Sequence, residues 1–343
     1  MTERSVHLMG SIPAANAEAA MREVLTRLGP HLRCLPDGET GERRNWIMHI
    51  IESFRAHPDL QVRTEGDWSG YDRVLTFRVR KGHTLRGESL DFGHVVNVEE
   101  NLPIFQRLRH ELGRPDLIFQ VGIPGDLDMA LFTLGPLGAF RHRRAFTEAT
   151  VREINEISSV TANQVLFQLE VPVELIFMTR MPAPVRPAMA AFLARGIARL
   201  ADQSPDGARF GVHLCLGDLN HKAMARMRNT RPLVLLANAV AKCWPAGRSL
   251  DYVHVPFTAG EQPPPLDPTF YRPLGKLRLP GTTRLVAGLV HEGQSIDEQR
   301  HVLGLVEEQV GRRVDLAAAC GFGRCTPEQA RAAMDQVTAL LGT

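Results

Sequence analysis

Eight short apolar runs recur along the chain, and each is followed by a turn and a segment with helical periodicity. They predict buried strands at residues 6–11, 32–36, 117–122, 165–170, 210–215, 250–255, 285–291 and 314–320. Between the runs, apolar residues recur at spacings of three and four, as in Met21, Val24 and Leu28, which is typical of amphipathic helices. Apolar strands that alternate with helices favour a parallel sheet covered on both faces. The pattern therefore predicts an α/β fold, a (β/α)8 TIM barrel, with residues 1–343 as a single domain.

Local signals support this alternation. Ser295 with Glu298, and Thr326 with Gln329, have the spacing of a capping box and predict two helix starts. No G-x-G-x-x-G turn follows the first apolar run, which removes the main support for a dinucleotide-binding sheet.

Composition excludes several classes of protein. The 343 residues carry 40 Lys and Arg against 38 Asp and Glu, a net charge of +2, so neither nucleic acid nor an anionic membrane is expected as a partner. No apolar segment is long enough to cross a membrane, and the N-terminus lacks the apolar region of a secretory signal. The five scattered cysteines are typical of reduced thiols, so we expect a cytoplasmic protein.

Two segments interrupt the alternation. Residues 57–101 are polar, follow the second predicted helix and contain possible short strands at 73–80 and 95–98. They predict an insertion that acts as a lid, or else an arm that supports a homodimer. A proline-rich stretch at 263–268 predicts a second long loop, and such loops in compact domains often cover a site. Trp68 and Tyr71 of the insertion could cover an apolar substrate, or could be surface aromatics of a hairpin.

Polar residues accumulate at the predicted strand ends, where a barrel places its active site. The carboxylates and cations there could act as general acids or bases or bind a charged substrate, although turns and helix caps use the same residue types. We predict catalytic roles for Asp37, Glu39, Arg43, Glu170 and His291, and substrate binding by Gly10, Ser11, Asp126, Asp218 and Arg324.

A metal site is predicted where the fifth and eighth strands end. His213 and Cys215 are two residues apart, so on a strand both side chains would point into the barrel mouth. Cys320 ends the eighth strand and could reach the same point. One nitrogen and two sulfurs suit Zn²⁺ and leave a coordination position open for substrate. The alternative is that these are a core histidine and buried cysteines without a metal.

Three motifs resemble those of a known family. They are the Met9-Gly-Ser-Ile-Pro opening, the His213-x-Cys215-x-Gly-Asp218 segment and the Cys320-Gly-Phe-Gly-Arg324 ending. Together they resemble the catalytic barrel of cobalamin-independent methionine synthase, which forms a superfamily with the uroporphyrinogen decarboxylases. The resemblance implies that His213, Cys215 and Cys320 are zinc ligands and that zinc activates a substrate thiol for alkyl transfer. It also places the turn at Gly10 near the amino-acid end of that thiol.

The sequence departs from the family at two strand ends. Pro256 stands where the family has a glutamate ligand, and His254, which shares its side of the strand, could supply a nitrogen from one layer deeper. The family motif Asp-Glu-Pro is Glu170-Val-Pro172 here, with one carboxylate instead of two. The family's first, folate-associated barrel is also absent. These differences favour a standalone relative that acts on a different substrate.

The sequence therefore predicts a zinc-dependent transferase that takes a small-molecule thiol and an alkyl donor. The first alternative is a decarboxylase or carbon–carbon lyase that uses a metal or Asp37, Glu39 and Arg43. The second is a barrel that binds a metal or ligand without turnover.

Overall fold

The computed structural model describes residues 4–258 and 260–342; the ends of the predicted domain, residues 1–3 and 343, lie outside this range. Its strands are β1 (Cys34–Pro36), β2 (Leu60–Thr64), β3 (Thr76–Val79), β4 (Ile118–Pro124), β5 (Val165–Glu170), β6 (Arg209–His213), β7 (Ser249–Pro256), β8 (Arg284–Val290) and β9 (Asp315–Ala318). Its helices are α1 (Ala17–Leu28), α2 (Met48–Ser53), α3 (His94–Glu111), α4 (Asp126–Val160), α5 (Pro172–Arg180), α6 (Arg186–Asp202), α7 (Arg231–Cys243), α8 (Pro268–Tyr271), α9 (Ile296–Val310) and α10 (Pro327–Leu341).

Seven strands form one parallel sheet in the order β1-β4-β5-β6-β7-β8-β9. The α/β class is thereby confirmed, and this curled sheet with its helices is consistent with a TIM-like barrel. The prediction of a strand over 6–11 is wrong, because only Val6 pairs there: it forms parallel bridges to Leu32 beside β1 and to Leu316 in β9. Gly10, with φ of 135°, turns the backbone towards the site soon after.

Helices on the outside of the sheet bury their apolar stripes against it. In α1 the buried residues include Met21, Val24 and Leu28, as the spacing predicts. Both predicted capping boxes are confirmed: Ser295 and Glu298 cap α9, and Thr326 and Gln329 cap α10. Within the described part of the chain, no helix combines the length and apolarity needed to cross a bilayer.

The segment after α2 folds into an antiparallel hairpin of β2 and β3, which lies over its own apolar cluster that includes Phe54, Trp68 and Phe77. The strand predicted near residues 73–80 is found as β3. The strand predicted at 95–98 is wrong, because these residues lie in α3, which packs against α1. Residues 57–93, the part of the predicted insertion that precedes α3, are called the insertion below.

Candidate active site

The three predicted metal ligands meet at the carboxyl ends of two strands. His213 is the last residue of β6, and Cys215 follows two residues later. Cys320 lies two residues beyond the end of β9. One ligand atom from each, a histidine nitrogen and two sulfurs, lies within 4.8 Å of the others. Cys215 and Cys320 thus approach the site from loops rather than from the strands to which the sequence assigned them.

The two sulfurs differ electrostatically. The hydrogen bond from Cys215 and the nearby Arg324 guanidinium, whose Nη2 donates to Cys320 Sγ at 3.0 Å, lower the pKa of Cys320. The same hydrogen bond, together with burial, raises the pKa of Cys215 well above its ordinary value. Cys320 is therefore the sulfur more readily held as a thiolate, the form that binds metals.

His254 fixes the tautomer of His213. The Nε2 of His254 lies 3.1 Å from the carbonyl oxygen of Ala318, so this nitrogen carries the proton. Burial lowers the pKa of His254 to about 4, which keeps its ring neutral and leaves Nδ1 as an acceptor. His254 Nδ1 lies 3.3 Å from the Leu214 carbonyl oxygen and 2.8 Å from His213 Nδ1; with His254 Nε2 protonated, His213 Nδ1 is the donor in the closer contact. The lone pair on His213 Nε2 remains free for a metal, and His254 lies behind the ligand group rather than in it.

The donor set fits zinc. An imidazole whose other nitrogen is hydrogen-bonded, together with two cysteines of which one favours the thiolate, is a set that Zn²⁺ accepts. Pro256 supplies no donor atom where a fourth protein ligand would be expected. Three protein ligands would leave one coordination position open for substrate.

A cavity opens beside this group. Its wall includes two carboxyl groups, the half-buried Glu39 and the buried Glu170, next to Met9 and Trp46. Burial and the neighbouring carboxylate raise the pKa of Glu39 well above its ordinary value. Burial also raises the pKa of Glu170 to about 7, although Gln168 donates to its Oε1 at 2.9 Å and Trp46 Nε1 donates to its Oε2. The pair can hold one proton at neutral pH, as adjacent carboxyl groups do.

A tight loop delivers Glu39 to this wall. Gly38 and Glu39 both have positive φ, 85° and 41°, and the Glu39 N–H donates to Asp37 Oδ1 at 2.8 Å. A Cβ on Gly10 would lie 2.4 Å from Glu39 Oε1, and one on Gly122 would lie 2.8 Å from the same atom. These two glycines thus make room for the carboxyl group.

The other predicted site residues fall into three positions. Ser11, Asp218 and Arg324 line the cavity, and Gly10 lies directly behind Glu39. Asp37 and Arg43 form an ion pair at 2.6 Å beside Glu39.

Two predicted site residues lie away from this cavity. His291 lines a neighbouring pocket, where its Nε2 contacts the Gly260 carbonyl oxygen at 3.0 Å. Asp126, the first residue of α4, pairs with Arg143 at 2.8 Å.

Several features of the site escaped the sequence analysis. Trp46 and Phe132 line the cavity, but each reads in the sequence as an ordinary apolar helix residue. A second group of ligand-capable atoms, from His221, His291 and Glu292, also lies within 4.8 Å. Among the described lining residues, the cavity takes Trp68, Tyr71 and Val74 from the insertion but none from the proline-rich stretch.

The architecture is that of a TIM-like α/β fold, and the candidate site lies at the carboxyl ends of its strands. Its fold is similar to that of a B12-independent methionine synthase from a Shewanella species, at 15% identity and a TM-score of 0.60, covering 99% of this chain and 97% of that one. It is also similar to a methyltransferase from Methanosarcina mazei, at 14% identity and a TM-score of 0.57, covering 100% and 94%. No family model and no curated protein matches the sequence. At these identities the likeness establishes the fold.

Proposed function

We propose that this protein is a zinc-dependent alkyltransferase that joins a small-molecule thiol to an alkyl group. The observation that carries the proposal is the convergence of His213, Cys215 and Cys320 at the mouth of a fold shared with methyltransferases. Bound zinc would lower the pKa of a substrate thiol so that its thiolate is available at neutral pH. Val6, bridged to both sheet edges, supports a closed barrel as the scaffold, and the odd number of scattered cysteines in the sequence supports a cytoplasmic location.

The reaction is a displacement. The substrate sulfur loses its proton to solvent, its electron pair forms the new sulfur–carbon bond, and the bond between that carbon and its leaving group breaks. The leaving group departs with the bonding pair and needs a proton. Glu39 and Glu170, both with a raised pKa in the cavity wall, are placed to donate it. Arg324 orients Cys320 through its hydrogen bond to the sulfur.

Elemental analysis of the purified protein tests the metal. We expect about one zinc per chain after reconstitution under reducing conditions, and loss of that zinc in Cys320→Ser and His213→Ala. Cys243→Ser is the matched control, because Cys243 lies at the end of α7, away from the site. His254→Ala should weaken zinc binding about 10- to 100-fold by releasing the His213 tautomer. Wild-type protein that binds no zinc would refute the proposal, and zinc with no thiol consumed would indicate a binding protein.

A second candidate is a decarboxylase or lyase that needs no thiol. The Glu39 and Glu170 pair favours it, because a carboxyl group with a pKa near 7 can both donate and accept a proton. Glu39→Gln would then abolish turnover of a carboxylated substrate in metal-free protein. Activity that requires an added thiol would exclude this candidate.

A further inference from the structure

The cavity beside the proposed zinc site has aromatic walls. Four aromatic residues from the loop before α2, the insertion and α4 line it, namely Trp46, Trp68, Tyr71 and Phe132. The rings of Trp46 and Phe132 meet edge to face with centroids 6.0 Å apart, which is a favoured arrangement of aromatic side chains. Separate segments of the chain thus place aromatic surface around one small-molecule cavity.

Two of these side chains are held in an unusual backbone conformation. Trp46 and Trp68 have positive φ, 55° and 56°, a backbone conformation that is unfavourable for a bulky residue. Each indole is also anchored at its nitrogen, Trp46 to Glu170 and Trp68 to Glu52. Such strain is typical of functional sites, and here both strained residues face the same cavity.

The cation in the cavity wall already has partners. Among the described residues that line this cavity, Arg324 is the only lysine or arginine. Its Nε donates to Asp218 Oδ2 at 3.1 Å, its Nη1 to the Arg44 carbonyl oxygen at 3.0 Å, and its Nη2 to Cys320 Sγ at 3.0 Å. A carboxylate or phosphate on the substrate would meet no uncommitted cation here, and a buried anion without a partner is strongly disfavoured.

We infer that the ligand of this cavity carries an uncharged apolar body, an aryl or alicyclic group, next to its reacting end. The aromatic walls bind that body, and the paired charges exclude its anionic analogues. This rests on the proposed function only for the identity of the reacting end. It differs from the sequence-based expectation that Arg324 binds a substrate carboxylate, because the guanidinium is committed to Asp218 and Cys320.

Intrinsic fluorescence reports on binding directly, because two of the three tryptophans of the chain line the cavity. The probes are cyclohexylmethanol and its analogue with a carboxylate on the ring, neither of which absorbs where tryptophan does. We expect saturable binding of the alcohol, at least 10-fold tighter than that of the carboxylate. Equal or tighter binding of the carboxylate, or no saturable binding of the alcohol, would overturn the inference.

Variants locate the binding. Phe132→Ala removes one wall and is expected to weaken binding of the alcohol about 10-fold. Val74→Ala is expected to weaken it to a smaller extent. Two wall variants are used so that the test remains possible if one of them fails to fold. Trp244→Phe is the control, because Trp244 packs against Phe210 away from the cavity, and it should leave affinity unchanged. Wild-type affinity in both wall variants would overturn the inference.

The outcome is separable from that of the zinc analysis, because neither probe contains a thiol. Selective binding of the alcohol by a protein that takes up no zinc would refute the alkyltransferase and retain the apolar ligand. Zinc binding together with preference for the carboxylate would retain the alkyltransferase and refute the apolar ligand.

Discussion

Glu170 shows how one side chain can link stability to the proton content of the site. Its carboxyl group is buried between the indole of Trp46 and the amide of Gln168, and it faces Glu39 across Gly122. Two negative charges there would repel each other, and burial would disfavour the charged form of each carboxyl group. The folded protein therefore retains a proton that the unfolded chain releases at lower pH.

The Glu170→Gln variant should have a flatter pH dependence of stability than the wild type. The pKa of Glu170 is raised from 4.5 to about 7 in the folded protein, so folded protein binds more protons than unfolded protein between these values. The free energy of unfolding of the wild type must then fall as pH rises through this window. Glutamine does not titrate, so the wild type should lose about 2–3 kcal/mol relative to the variant. Urea unfolding at pH 5 and pH 8 measures the difference.

Glu308→Gln, at an exposed position of α9, is the control for that experiment and should follow the wild type at both pH values. Equal pH dependence in the wild type and Glu170→Gln would contradict the expectation.

At the scale of elements, the turn of the insertion is tied to the loop after β6. The Tyr71 hydroxyl accepts from the Leu219 N–H at 2.9 Å and donates to the Lys222 carbonyl oxygen at 2.9 Å. Asn220 Nδ2 donates to the Trp68 carbonyl oxygen at 2.9 Å. The loop that carries Cys215 is thus also hydrogen-bonded to the insertion.

Tyr71→Phe should loosen this attachment. Loss of the hydroxyl removes the acceptor of the Leu219 N–H, and a hydrogen bond of this kind contributes about 0.5–1.5 kcal/mol. Hydrogen exchange of the Leu219 amide should therefore accelerate roughly 2- to 10-fold if it proceeds by local opening. Tyr271→Phe is a matched control, because the Tyr271 hydroxyl donates to the Pro265 carbonyl oxygen instead. Unchanged exchange at Leu219 in Tyr71→Phe would argue against this attachment.

Elements with strong periodicity could be predicted from the sequence. The strand over 165–170 has the predicted bounds, and both capping boxes are present, because these signals are local. Residues 95–98 look like a strand because valines are frequent there. Their helical state instead follows from α3, whose buried Val98, Phe105 and Leu108 recur at helical spacing. Packing of that longer stripe outweighs the weak β preference of the valines.

The candidate site also has one feature that the sequence predicts and one that it does not. The approach of Cys320 to His213 could be predicted, because the carboxyl ends of parallel strands meet at one edge of a sheet. The pairing of Glu39 with Glu170 could not, because it depends on the positive φ of Gly38 and Glu39 in a short loop. No periodicity in the sequence reports that backbone conformation.

At the scale of the whole molecule, the N-terminal segment joins the two edges of the sheet. Val6 bridges both edges, and the neighbouring Ser5 N–H donates to Asp315 Oδ1 at 2.9 Å. Asp315 also pairs with Arg284 at 2.6 Å. One buried carboxylate therefore holds the start of the described chain against β8 and β9.

Asp315→Ala should destabilise the protein by about 2–4 kcal/mol, because it leaves the Ser5 amide and the Arg284 guanidinium without this partner. Urea unfolding measures the change. Asp206→Ala removes an aspartate paired with Arg248 at an exposed site and should have little effect. Equal losses in the two variants would show that the segment at the sheet edge contributes no more than a surface ion pair.

The hairpin described above has an evolutionary consequence. The proposed metal ligands and the carboxyl pair belong to the sheet and its strand-end loops, whereas Trp68, Tyr71 and Val74 belong to the insertion. Part of the cavity wall is thus encoded in a stretch of the gene separate from the residues proposed to react. A lineage can exchange the insertion and reshape that part of the wall without rebuilding the proposed reacting centre, and a protein engineer can make the same exchange by grafting.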